Sequence, residues 1–189
     1  MTETRVDAVI KVGGSLLRRP AALARVTDSL AQLRERLALL VVPGGGLMAD
    51  TIRDLDQRFS FAPDTSHWMA VLAMDQYALL LSGRIAGSRV VRDRQEIACA
   101  LDAKAIPVLA PYRWLEDADP LPHSWSVTSD SIAAWVAGAV GAPRLVLVKA
   151  VGGQPESLVD EHFSRALPTQ VESTVLAATE VDKLEALLV

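Results

Sequence analysis

The chain has 189 residues, of which 50% are hydrophobic and 22% are charged, and its formal net charge is -4 with an isoelectric point near 5.4. This composition fits one globular domain with a substantial core, so we treat residues 1–189 as a single domain. The acidic balance argues against a protein that coats nucleic acid or an anionic membrane, and no uncharged apolar stretch approaches the roughly 18 residues of a membrane span.

Cysteine use gives an expectation about the compartment. The single cysteine, Cys99, cannot form a disulfide within the chain, and the N-terminal stretch TETRVDAVIK has no secretory apolar region. Both features favour a reducing cytoplasm. Cys99 lies in EIACALDA on the apolar side of a predicted helix, so we expect its side chain to be packed.

Predicted strands and helices alternate along the chain. Short runs of valine, isoleucine and leucine that stop at glycine or proline indicate buried strands, and apolar residues three or four positions apart indicate helices. In chain order we predict strand 6–12, helix 18–37, strand 37–43, helices 47–59 and 67–83, strand 89–91, helix 93–103, strand 106–111, a Pro-rich acidic loop at 112–125, helix 128–141, strand 143–153 and helix 179–188. Continuous apolar strands between helices are typical of an α/β fold with a mainly parallel sheet covered on both faces.

The first motif is K-V-G-G-S, in which Lys11 ends a predicted strand and Gly13, Gly14 and Ser15 follow. Glycines after a strand let backbone N–H groups converge on an anion, and the next helix adds the positive end of its dipole. A lysine can reach phosphate oxygens as a point charge. The motif predicts a phosphate site; the alternative is a plain strand–turn–helix with an exposed lysine.

The second motif is V-V-P-G-G-G, which places Gly44, Gly45 and Gly46 at the end of the next predicted strand. Three consecutive glycines cost backbone entropy and add no side-chain packing, so the run predicts a close approach to the backbone. The alternative is a flexible turn. Ligands of open parallel sheets bind beyond the carboxyl ends of the strands, where both glycine motifs fall.

Two further charged residues complete the pattern. Lys149 ends the strand LVLVK, and a buried lysine is rare without a partner. Asp130, in the first turn of an apolar helix, would supply one by bridging Lys149 and Lys11. The alternative is an acid that stabilises a solvated helix N-terminus.

The chemistry that this set supports is phosphoryl transfer. There is no P-loop, no dinucleotide G-x-G-x-x-G after the first strand, no Ser-His-Asp or Cys-His set, and no metal-ligand spacing among the three histidines. Two lysines, an aspartate and glycine turns at strand ends can stabilise the charge of a transferring phosphoryl group. Mg²⁺ would then arrive held by nucleotide phosphates.

Across residues 6–165 these motifs, in this order, resemble the amino-acid-kinase superfamily. The resemblance implies a three-layer αβα sandwich with ATP at one end of the site and an acceptor at the other. It implies that Lys11 contacts the transferring phosphate, that Asp130 organises the lysines, and that Lys149 stabilises the leaving and transferring groups. The implied nucleotide and phosphate contacts are Gly13, Gly14, Ser15, Gly44, Gly45, Gly46, Val151, Gly152 and Gly153.

A closer resemblance is carried by GGGLMADTIRDLD followed by SHWMAVLAMDQYALLL. These stretches are similar to the branch that phosphorylates an aminomethylfuran phosphate during synthesis of methanofuran-type one-carbon cofactors. The resemblance implies that Arg53 and His67 hold the acceptor phosphate and that Asp75 holds its ammonium group. For each, the alternative is a surface charge or a capping or packing role. Apolar helices rich in alanine, tryptophan and leucine add the expectation of a homo-oligomer.

The chain departs from the superfamily at one motif. Members often have K-x-V-D-G where this chain has K-A-V-G-G at 149–153, so that Gly152 replaces an aspartate, and no G-x-x-x-G-T closes the chain. This departure motivates a second hypothesis, a non-catalytic nucleotide or oxyanion binder that stores molybdate or tungstate. We interpret Trp68, Trp125 and Trp135 as core or interface residues.

Overall fold

The computed structural model describes residues 5–152 and 158–188. Six strands form one sheet in the order β3-β4-β2-β1-β5-β6, and each neighbouring pair is parallel. The strands are β1 (Ala8–Val12), β2 (Leu39–Pro43), β3 (Ser88–Val91), β4 (Ile106–Leu109), β5 (Arg144–Lys149) and β6 (Glu172–Ala177). The parallel α/β sheet predicted from the sequence is confirmed.

Helices cover both faces of this sheet. They are α1 (Pro20–Leu33), α2 (Gly46–Phe59), α3 (Pro63–Ser82), α4 (Arg94–Asp102), α5 (Tyr112–Ala118), α6 (Ser129–Ala139), α7 (Phe163–Ala166) and α8 (Leu184–Leu188), with 3₁₀ helices at Gly14–Arg18 and Ala178–Lys183. Among the helices that the structure describes, none has the length and apolarity needed to cross a membrane.

The two faces of the sheet carry two separate core clusters. In β1, Ile10 and Val12 belong to the cluster that contains the buried face of α1, whereas Val9 belongs to the cluster that contains α6. Side chains alternate between the faces of a strand, so Lys11, two residues after Val9, lies on the α6 side. The three-layer αβα arrangement is therefore present, and it directs Lys11 towards α6.

The segment between β4 and α6 differs from its prediction. Residues 112–125 were expected to form a loop, but Tyr112–Ala118 form α5, which buries Leu115 and ends at Asp119 with a left-handed φ of 38°. Two turns of helix are too short to show a clear apolar period, and the nearby prolines obscured them.

The C-terminal part contains elements that the sequence pattern did not indicate. β6 and α7 were not predicted, and the helix expected at 179–188 is divided into a 3₁₀ helix, Ala178–Lys183, and α8. β6 pairs with β5 at the sheet edge, and only its last two residues are buried. A strand that is buried only at its C-terminal end lacks the continuous apolar run that marked the others.

Cys99 is exposed, so the expectation that it is packed was wrong. Helix α4 instead buries Ile97 and Ala100 against the sheet.

Candidate active site

Two lysines reach the same point of the molecule because their strands are neighbours. β1 and β5 pair in parallel with Lys11 opposite Leu147, and Lys149 lies two residues beyond Leu147 on the same face. Both side chains therefore leave the carboxyl edge of the sheet on the side covered by α6. Ligands of parallel α/β sheets bind at this edge.

The first turn of α6 places a carboxylate between them. Thr128 caps the helix, because its hydroxyl accepts a hydrogen bond from the amide of Asp130. The side chain of Asp130 points towards the sheet. Lys11 Nζ lies 2.7 Å from Asp130 Oδ1, and Lys149 Nζ lies 2.6 Å from Oδ2. The side chains of Lys11 and Asp130 are each 5% exposed and that of Lys149 is 14% exposed, so the three charges lie almost out of contact with solvent.

The protonation equilibria follow from this arrangement. Burial alone would raise the pKa of Asp130, but the charges of Lys11 and Lys149 outweigh it and the pKa is lowered, so the carboxylate is ionised. Burial, together with repulsion from Lys11, lowers the pKa of Lys149 to about 8 although Asp130 opposes the shift. One carboxylate does not balance two ammonium groups, and the lowered pKa of Lys149 means that its charged form is less stable here than in water.

Asp160 organises the start of α6 and was not identified from the sequence. Its Oδ2 accepts three hydrogen bonds: from the amide of Thr128 at 2.9 Å, from the hydroxyl of Thr128 at 2.7 Å and from the amide of Ser131 at 3.1 Å. Its Oδ1 accepts a hydrogen bond from the Ser131 hydroxyl. A carboxylate at this position satisfies N–H groups that have no partner within the helix. Because it comes from a distant segment, no local pattern could have indicated it.

The glycine turns pack against each other. The amide of Gly13 donates to Val148 O at 2.8 Å and that of Gly44 donates to Val12 O at 2.9 Å, so both extend the sheet. A Cβ atom on Gly14 would lie 2.2 Å from the amide nitrogen of Gly46. The close approach expected at the glycine run is thus, in part, an approach of one turn to the other.

Other residues of these turns lie at the start of helices. Gly14 and Ser15 begin the 3₁₀ helix, and Gly45 and Gly46 begin α2. Amides in the first turn of a helix have no partner within it. The N-terminal residues of two helices therefore line the same cavity as the lysines.

That cavity has a volume of about 280 Å³ and joins the lysine end to a second group of side chains. It brings together most of the residues singled out in the sequence, together with others from α2, α3 and the segment before α6. The predicted residues that line it are Lys11, Gly13, Gly14, Ser15, Gly45, Gly46, Arg53, His67, Asp130 and Lys149.

Of the predicted residues that the structure describes, four do not line this cavity. Asp75 accepts a hydrogen bond of 3.0 Å from the amide of Tyr112 at the start of α5, which is the capping role named as its alternative. Burial raises the pKa of its carboxyl group. The amide of Gly44 belongs to the sheet ladder, and Val151 and Gly152 are exposed. Gly153 lies outside the described residues.

The far end of the cavity is lined by residues that sequence reasoning missed or misjudged. The guanidinium of Arg53 lies 4.7 Å from the centre of the Trp125 ring, and the indole Nε1 donates to Asp56 at 2.6 Å. Trp125, interpreted from the sequence as a core or interface residue, is half-buried and lines the cavity. Arg18 and Asp50 also line it and are paired at 3.1 Å.

The cavity wall is cationic in a chain whose net charge is -4. Four cations against two carboxylates leave two excess positive charges, with His67 counted as neutral. The cations are Lys11, Arg18, Arg53 and Lys149, and the carboxylates are Asp50 and Asp130. Such a wall is suited to a ligand with several negative charges.

Comparison with known proteins agrees with the fold and the motifs. The profile of the amino acid kinase family matches residues 8–153. The chain is 23% identical over 145 residues to the [5-(aminomethyl)furan-3-yl]methyl phosphate kinase of Methanocaldococcus jannaschii, a match that covers 77% of this chain and 66% of that kinase, just under two thirds of its length. It is 28% identical to the acetylglutamate kinase of Methanopyrus kandleri, with 94% of this chain and 87% of that protein covered.

A solved structure shares the fold. The uridylate kinase of Archaeoglobus fulgidus superposes with a TM-score of 0.74 at 14% sequence identity, over 97% of this chain and 95% of that one. At this identity the likeness concerns the architecture alone.

Proposed function

The chain belongs to the amino acid kinase family, and we propose that it is an ATP-dependent kinase that transfers the γ-phosphoryl group to a small acceptor already bearing a phosphate. The observation that carries the proposal is that the buried Lys11 and the largely buried Lys149 share Asp130, which leaves one uncompensated positive charge at the wall of a cavity. A polyphosphate would supply the missing negative charge.

The proposed reaction requires little covalent chemistry from the protein itself. Charge on the oxygens of a transferring phosphoryl group is stabilised by fixed cations and amides. Lys11 and Lys149 would contact the transferring and leaving groups, Asp130 would keep the two ammonium groups in place, and the amides at the start of the 3₁₀ helix and of α2 would hold the phosphate chain. The residues that carry these groups line the cavity.

Mg²⁺ would be held through the nucleotide. Within 5–152 and 158–188, no set of three or more histidine, cysteine, aspartate or glutamate side chains is arranged to ligate a metal, and both oxygens of Asp130 face lysines. Mg²⁺ usually binds through one or two carboxylates and substrate phosphates, and it would neutralise charge on the β- and γ-phosphates.

The far end of the cavity supports an acceptor with its own phosphate. Arg18 and Arg53 supply fixed positive charge, and His67 supplies a ring nitrogen. For an aminomethylfuran phosphate, the acceptor of the Methanocaldococcus jannaschii relative, Asp50 is the carboxylate available for the ammonium group, in the role that the sequence had suggested for Asp75. We therefore assign the ammonium contact to Asp50, and a place in one-carbon cofactor synthesis follows from that acceptor.

An acceptor panel tests the proposal. ADP release would be measured with ATP and Mg²⁺ against the aminomethylfuran phosphate, UMP, isopentenyl phosphate and N-acetylglutamate, with Lys149→Met as the inactive control. We expect the highest kcat/KM with a phosphate monoester and none with N-acetylglutamate. Turnover of N-acetylglutamate alone, or tight ATP binding without turnover of any acceptor, would contradict the proposal.

The excess positive charge of the cavity is also the feature that favours the second hypothesis, a non-catalytic oxyanion binder. Molybdate or tungstate would then raise Tm more than ATP does, and Lys149→Met would abolish that shift. Enzymatic turnover of a phosphate monoester would decide against this hypothesis.

The homo-oligomer and the cytoplasmic location stay predictions. Helix α6, one of the apolar helices on which the oligomer was based, is mostly buried within the chain. Leu72 and Leu79 on α3 are 42% and 61% exposed and are the better candidates for contact with a second copy. Mass measurement in solution would decide the oligomeric state.

A further inference from the structure

Two histidine rings stack at the wall of the cavity. His67, near the start of α3, lines the cavity, and His123, in the segment between α5 and α6, lies against it with ring centres 4.1 Å apart and planes 14° from parallel. The edge of Trp68 closes the stack, at 4.7 Å from the His67 ring and 5.0 Å from that of His123. Each ring is thereby held in one orientation.

Carboxylates engage both nitrogens of His123. Its Nδ1 lies 2.7 Å from Asp64 Oδ1, and its Nε2 lies 2.9 Å from Asp119 Oδ1. A neutral imidazole carries one N–H, whereas ionised carboxylates can only accept, so both bonds form together only when His123 is an imidazolium. Its side chain is 16% exposed, which limits competition from solvent.

We propose that His123 is a positioning residue that acts through His67: clamped by Asp64 and Asp119, its imidazolium fixes the orientation of the His67 ring at the cavity wall. His67 then offers an anionic acceptor a hydrogen-bond donor in a set orientation, while the fixed positive charge comes from the arginines of the cavity. This inference rests on the proposed function, because it assumes that the acceptor phosphate binds at the His67 end.

Electrostatics support different protonation states for the two rings. Burial of His67, with repulsion from His123, lowers its pKa to about 4, although Asp119 and Asp64 oppose the shift. Burial opposes the charge on His123, but its hydrogen bonds to Asp64 and Asp119 outweigh that effect and raise its pKa. Asp64 at the start of α3 and Asp119 at the end of α5 are the charged groups that face the pair.

A metal site and a purely structural clamp both fit this cluster less well. The two histidines and two aspartates do not converge on a metal site, as no such group occurs in the part of the chain that the structure describes. A purely structural clamp would not require His67 to line the cavity. The arrangement is typical of paired titratable groups whose surroundings push their pKa values apart so that each takes a different role.

The test is an NMR titration of the histidine side chains, because it reads the ring pair whether or not the chain is a kinase. His67→Asn and His123→Phe assign the resonances, and His162 is an internal reference. In the wild type we expect His67 to stay neutral at pH 6 and His123 to be protonated there. His123→Phe keeps a flat ring against His67 but removes the charge, so the His67 midpoint should rise by about one pH unit or more.

Kinetics add the functional readout. At pH 7, His123→Phe should raise KM for the phosphate-bearing acceptor about tenfold and leave kcat and KM for ATP within about twofold, since roughly one charge-assisted hydrogen bond is weakened.

If His123→Phe does not fold, Asp119→Asn on the exposed rim should still lower the His123 midpoint. An unchanged His67 midpoint in His123→Phe, an unchanged His123 midpoint in Asp119→Asn, or equal titration of both wild-type rings near pH 6.5 would overturn the inference. Absence of turnover with every acceptor would overturn the proposed function, while the titration would still decide about the ring pair.

Discussion

Lys11 and Lys149 end two neighbouring parallel strands and share one carboxylate, with Nζ–O distances of 2.7 and 2.6 Å to the two oxygens of Asp130. Two largely buried cations on one buried anion do not form a neutral unit. Replacing a buried ion group by apolar residues often stabilises a protein, so such a group is weak evidence of a role in stability. The unbalanced charge is more readily understood as a site for an anion.

Asp130→Asn tests the role of the carboxylate. The substitution leaves two close ammonium groups without a counter-charge, so we expect the free energy of unfolding to fall by about 3–5 kcal/mol. We also expect kcat to fall on the order of a hundredfold or more, as for loss of one electrostatic stabiliser. Urea unfolding at pH 7 and the ADP assay measure the two effects.

Lys149→Met is the matched comparison for that variant. It leaves Lys11 and Asp130 as a one-to-one pair and removes the repulsion between the lysines, so it should cost less stability than Asp130→Asn while lowering kcat by a similar factor. If Asp130→Asn were as stable as the wild type, the carboxylate would not be balancing the lysines.

The pH dependence of the rate should report the ionisation of Lys149. Lys149 has a pKa lowered to about 8, so it loses its positive charge as the pH rises through that value. We expect kcat/KM for ATP to fall above about pH 8, and kcat to fall only at higher pH because bound phosphates stabilise the ammonium form. Lys149→Arg keeps its charge and should lack the alkaline decline, at a lower absolute rate. A flat profile to pH 10 in the wild type would separate Lys149 from the reaction.

The acceptor end can be tested through Arg53. Removing a charged donor to a phosphate costs about 1.5–3 kcal/mol, so Arg53→Met should raise KM for the acceptor roughly 10- to 100-fold and leave KM for ATP within about twofold. Arg58 is the matched control, because it lies on the same helix, exposed in the last turn and outside the cavity wall. Equal effects of Arg53→Met and Arg58→Met, or a larger effect on KM for ATP, would place the acceptor elsewhere.

The lysine end of the site could be predicted because each of its residues belongs to a strong local pattern. Lys11 and Lys149 end apolar strands, and Asp130 follows a helix-capping residue. The parallel sheet then brings all strand ends to one edge, which is a property of the fold class and not of any single residue. Local pattern and topology together were enough to predict that these residues meet.

The acceptor end was predicted less well because its side chains come from elements whose packing the sequence does not reveal. Asp75 and Asp50 are both acids on predicted helices, and only the packing of α3 against α5 directs Asp75 to the amide of Tyr112 instead of the cavity. His123 lies in a segment expected to be an irregular loop. Its partners Asp64 and Asp119 are identified only once α5 is known to end at Asp119.

Gly14→Ala tests the contact between the glycine turns. In Gly14→Ala the new Cβ would lie 2.2 Å from the amide nitrogen of Gly46 and 2.4 Å from its Cα, so one backbone must move. We expect the free energy of unfolding to fall by about 1–3 kcal/mol, as for other overpacked sites. The displaced turn carries amides of the cavity wall, so KM for ATP should rise as well.

Gly83→Ala provides the control for Gly14→Ala. Gly83 ends α3 with φ near -68°, and the atoms nearest to a new Cβ are two carbonyl oxygens at 3.5 Å, an ordinary contact. This substitution should leave stability unchanged or raise it by about 0.4–1 kcal/mol through the unfolded state. Equal stability of the two variants would mean that the turns can separate without cost. The glycines would then be required by the ligand alone, and the loss in Gly14→Ala would be seen only in KM for ATP.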